Sequence, residues 1–168
     1  MIAALADGLL SPLFVPAHAM MLIALGLLTG QQPRRLPHFC ACVAGLAAGS
    51  ITVAAAYASI YSGAAVYALT AICGLVVAAA VPMPTVLGLL LALCVGFALA
   101  FDSPPEVFSI SKAIAMQFGT VLAAAIYLAA IAGIAAVLTN DWQRIGIRIV
   151  GSWFAASAIL VLALQLLR

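Results

Sequence analysis

Two histidines, four cysteines and four carboxylates are the chain's imidazole, thiol and carboxyl groups, the side chains that most often hold a metal. His18 stands in the apolar stretch GLLSPLFVPAHAMM, with Met21 three residues further on. Helical spacing puts the two side chains on one face. An imidazole with a thioether suits nickel, cobalt or copper better than magnesium or calcium. A histidine bonded to a backbone carbonyl across a helix interface explains the same residue equally well. Asp102 and Glu106, half of the acidic residues, fall in FDSPPEVFSISK. That segment reads either as a turn that ends one helix and caps the next, or as a carboxylate mouth that concentrates a divalent cation. Gln117, Thr120 and Tyr127 follow at roughly helical spacing. They line an ion path or bond to a neighbouring helix. His38, beside Arg34 and Arg35, reads as a wet interfacial residue, with a ligand role alongside Cys42 as the alternative.

The solvent around these groups decides what they can do. Of 168 residues, 68% are hydrophobic and 6% charged, and the mean hydropathy is +1.33. Soluble domains run near half apolar and about a quarter charged, so lipid must cover most of this surface. A net charge of +2, with no basic run beyond Arg34-Arg35, gives no footing for nucleic acid. Cys40, Cys42, Cys73 and Cys94 all lie in apolar runs and read as small hydrophobes. No Ser/His/Asp set, phosphate loop or haem motif is present, so enzymatic activity is not expected.

A hydrocarbon core of about 30 Å takes roughly 20 apolar helical residues. Six runs of that kind can be cut out, at about 12–29, 37–58, 63–81, 85–101, 111–138 and 149–167. They predict an all-α integral membrane protein, one transmembrane domain over residues 1–168 built as a compact six-helix bundle. Short links predict that consecutive helices are antiparallel neighbours. Residues before Pro12 are too few to span, and lie along the interface or fold back into the bundle. Small residues such as Gly45, Gly49, Ala123 and Gly133 predict close helix approach, or a homo-oligomer contact. Asn140 or Asp141 caps the last helix, Trp142 anchors at the headgroups, and Trp153 packs inside. Arg34, Arg35, Arg144 and Arg148 share one side, which orients the first and fifth links to the cytoplasm and both termini outward.

The pattern resembles the HupE/UreJ family of small membrane proteins, associated with hydrogenase and urease maturation and regarded as nickel or cobalt permeases. The resemblance spans essentially the whole chain. It rests on GLLSPLFVPAHAMMLIALGLLTGQ, GFALAFDSPPE and WQRIGIRIVGSWFAASAILVLAL. Pro12 and His18 match the family's first-helix signature, while Ser11 stands where the family has a histidine and Ala17 where it has an acid. The fourth-span histidine-glycine pair is absent, leaving Asp102 and Glu106 to supply charge. The resemblance implies a divergent member in a bacterial inner membrane, passing Ni²⁺ or Co²⁺ with no tightly bound cofactor. The ion would meet His18, Met21, Asp102 and Glu106 and move along Ser11, Gln117 and Thr120. A non-transporting subunit of a larger membrane complex is the competing function, and His18, Met20 and Met21 are soft enough to make Cu⁺ a third.

Overall fold

The computed structural model describes residues 2–54, 62–81, 83–103 and 110–167. Every regular element among them is helical: α1 (Ile2–Phe14), α2 (Pro16–Gln31), α3 (Arg35–Ala54), α4 (Ser62–Ala79), α5 (Thr85–Phe101), α6 (Ile110–Val137) and α7 (Asp141–Leu166). Three of these helices, in α3, α6 and α7, are long and apolar enough to cross a membrane, and the pair α1 and α2 makes a fourth if it counts as one broken span. Two shorter apolar helices, Gly63–Ala79 and Thr85–Phe101, complete the set. Large apolar side chains such as Leu87, Leu90, Ile126, Ile134 and Leu160 lie exposed on the outside. That surface suits lipid and not water.

The first expected span is where sequence and structure part. A run from residue 12 to 29 does not exist as one rod. Val15 is extended (φ −97°, ψ 105°) and Pro16 opens α2, leaving α1 and α2 bent by 79°. The ring of Pro16 disfavours helical backbone at Val15 and lacks the N–H that would continue the ladder. So α1 turns aside and folds onto α6. The last helix also differs, starting at Asp141 and not near 149. Asn140 and Gln143 close a capping box at its start, and that satisfies amide groups otherwise orphaned there. Trp153, expected to pack, is 69% exposed.

Neighbours in sequence are not the chief neighbours in space. The most extensive packing joins α3 to α5, α4 to α7, and α6 to both α1 and α2. Glycines set each crossing. A methyl on Gly45 would strike the Leu93 carbonyl oxygen, one on Gly96 the Cys42 carbonyl oxygen, and one on Gly8 the Met116 carbonyl oxygen. Without a side chain, backbone reaches backbone, which is how lipid-embedded helices gain dispersion contact. Numbering rises together along α3 and α5, where Gly45 meets Leu93 and Gly49 meets Phe97, and along α2 and α6, where Gly26 meets Ile131 and Gly30 meets Ala135. It runs opposed along α4 and α7, where Gly74 meets Ala155 and Val77 meets Gly151. The core sits along α2, whose Met21, Leu22, Ala24, Leu25 and Leu28 are all buried.

Candidate functional site

His18 is the third residue of α2 because the chain breaks at Val15. It therefore lies in the first turn of α2, and not inside a span that begins at residue 12. Asp102 follows the last residue of α5 and caps it, its backbone N–H donating to the Ala98 carbonyl at 2.9 Å. Ser103 adds a second cap, its hydroxyl donating to the Leu99 oxygen at 2.9 Å. The helix ends thus fix both backbones before any side-chain contact is made. They meet at one place: Nε2 of His18 lies 2.9 Å from Oδ2 of Asp102, across 84 residues of chain. This is the one ion pair among the described residues.

The pair is asymmetric. The His18 side chain is 3% exposed and that of Asp102 20%, so the carboxylate faces outward and the ring lies behind it. A carboxylate accepts, so Nε2 carries the shared hydrogen. Nδ1 of His18 is buried with no hydrogen-bond partner. A buried polar atom left unmatched costs about 1–3 kcal/mol. Histidines that bind metals donate their second ring N–H to a carboxylate, which fixes the tautomer and makes the other nitrogen more basic. Asp102, His18 and the unpartnered Nδ1 stand in that order. Met21, on the same helix face, is fully buried.

The remaining expected residues are placed as follows. Glu106 lies outside the described residues. Gln117 donates from Nε2 to the Ser50 hydroxyl at 3.0 Å, joining α6 to α3. Thr120 is buried and bonds back to the Met116 carbonyl of its own helix at 3.1 Å. Tyr127 donates to the Leu9 carbonyl at 3.2 Å, pinning α1 on α6. Ser11 sits part-buried in the last turn before the break, its carbonyl accepting from the Val15 amide at 3.3 Å. None of these side chains hydrogen-bonds to the His18–Asp102 pair. Among the described residues no three His, Cys, Asp or Glu side chains come together, and those that meet here are one imidazole and one carboxylate.

His38 is not the wet residue that its neighbours suggest. It is 4% exposed, its Nδ1–H donating to the Arg34 carbonyl at 2.7 Å. Its ring lies against Gly88 of α5, where a methyl would run into Nε2. The glycine makes the room. Sequence reasoning missed this contact because Gly88 reads only as one more small residue. It also missed the direct His18–Asp102 bond, although the Val15-Pro16 step that brings His18 to a helix end was visible. Comparison with protein-family models, with curated proteins and with solved structures returns no match.

Proposed function

We propose that this chain is a six-span membrane permease for a divalent transition-metal ion, nickel or cobalt. The observation that carries the reading is the buried His18–Asp102 pair with its unpartnered Nδ1. Asp102, the more exposed partner, draws the cation; Nδ1 takes it as a nitrogen donor, and Met21 is the nearest soft donor by helical spacing. Few protein donors give a weak site, and conduction needs binding that also lets go.

Six alternating rods account for the helix registers. Counting α2 to α7 as the spans makes α2 and α6 parallel, α3 and α5 parallel, and α4 and α7 antiparallel, which is how the glycine crossings run. It also brings Arg35, Arg144 and Arg148 to one end, where they line a common cavity. The excess of Arg at that end favours a cytoplasmic location in a bacterial inner membrane, with both termini outside. The resemblance to HupE/UreJ proteins points to the same cargo.

The test is metal accumulation in cells expressing the protein, compared with His18→Ala and Asp102→Asn at equal protein level. His18→Ala should reduce nickel or cobalt uptake to the level of cells without the protein. Asp102→Asn keeps an acceptor for Nε2 but removes the charge, and should lower uptake by about tenfold or more, as loss of a carboxylate behind a ligating histidine does elsewhere. If both variants accumulate nickel, cobalt and copper as the wild type does, the permease reading is wrong.

A further inference from the structure

The end of the bundle opposite His18 holds a cavity of about 460 Å³ between the C-terminal ends of α2, α4 and α6 and the first turns of α3 and α7. Arg35, Arg144 and Arg148 line it, with Gln31, Gln32 and Thr139. Among the described residues no carboxylate lines it, and their one ion pair lies elsewhere, between His18 and Asp102. Arg148 commits its Nε–H to the Ala78 carbonyl at the end of α4, at 2.8 Å. That contact leaves its terminal nitrogens to the cavity, and Arg35 and Arg144 make no side-chain bond of their own among the described residues. The three helix ends bring about half a negative charge each, which offsets at most half of the three guanidinium charges. The cavity is therefore cationic, with planar donors suited to phosphate oxygens.

A second feature decides what kind of phosphate. An apolar groove of about 410 Å³ adjoins the cavity and shares Leu138 and Ile147 with it. Ile23, Leu27 and Val150 continue its walls, and Trp142, 73% exposed, stands along it. A soluble anion has no use for that groove. We propose that the two form one binding site for an anionic phospholipid of the surrounding bilayer, its phosphate among Arg35, Arg144 and Arg148 and one acyl chain along Leu27, Leu138 and Ile147. Basic pockets between spanning helices hold lipid phosphates in this way, and a tryptophan beside the groove suits the headgroup boundary. The site is independent of the metal reading: it lies at the other end of α2 and uses none of the same residues.

Native mass spectrometry of the delipidated full chain in detergent tests it, with phosphatidylglycerol, phosphatidylcholine and inorganic phosphate as probes. Phosphatidylglycerol should bind at least about tenfold more tightly than phosphatidylcholine, as expected where two or more cations meet one lipid charge. Millimolar inorganic phosphate should not displace it, and a short-chain phosphatidylglycerol should bind more weakly. Arg35→Gln with Arg144→Gln should weaken phosphatidylglycerol by roughly thirtyfold, the loss expected for two cations at a membrane surface. Lys112→Gln, an exposed charge at the first turn of α6, should leave it unchanged. If the double variant does not fold, each single variant is read instead and should weaken binding about fivefold. Equal binding of the two lipids, displacement by inorganic phosphate, or unchanged affinity in the arginine variants would each overturn the proposal.

Discussion

Ala80 shows how a single residue can be held against its own preference. Its φ is +52°, in the left-handed region, because it closes α4 with its amide donating to the Val76 and Val77 carbonyls at 3.1 and 3.2 Å. A side chain there crowds the backbone, and glycine is the usual occupant of that position. Ala80→Gly should raise stability by about 0.5–1 kcal/mol, the relieved strain exceeding the extra freedom of the unfolded chain. A higher midpoint of thermal unfolding in detergent would show it. His18 is the reverse case, where the surroundings leave an atom unsatisfied that better packing would have covered. Both ionisable partners were legible in the sequence, since so few charges occur in the apolar runs. Their contact was not, because 84 residues separate them and nothing in either stretch names the other.

At the scale of the helix, prolines and caps were readable and facing was not. VPMP ends α4, and Asn140 with Gln143 starts α7, both as local chemistry requires. Hydropathy passed over the break at Val15, because its average runs straight across the Val15-Pro16 step that marks it. Most of these helices are apolar all round, so no polar stripe says which side meets a partner. Glycine carries that information instead, but only some glycines do. Gly45 and Gly96 lie where a methyl would meet backbone, whereas nothing stands within 4 Å of one placed on Gly133. Gly45→Ala and Gly96→Ala should each destabilise by about 1–3 kcal/mol through overpacking. Gly133→Ala should be neutral or stabilise by up to about 1 kcal/mol through helix propensity. Unfolding of the purified variants, side by side, separates the two outcomes; a uniform response would contradict these crossings.

For the molecule as a whole, the cysteines report which way the bundle sits. Cys42 and Cys73 are buried, Cys40 and Cys94 exposed. Cys40 lies in the second turn of α3, close to the arginine-lined end, and Cys94 lies mid-way along α5. A membrane-impermeant maleimide should therefore label Cys40 alone, in inside-out vesicles and not in intact cells. Labelling in intact cells would reverse the proposed orientation.

The interleaved pairing has a consequence for biosynthesis. The fourth helix finds its closest companion, the seventh, only after α5 and α6 have followed it off the ribosome, and Arg148 then latches the two. Several rods must wait in the bilayer, unmatched, while the remainder is made. A nascent chain halted before α7 should be the species that quality-control proteases find most easily.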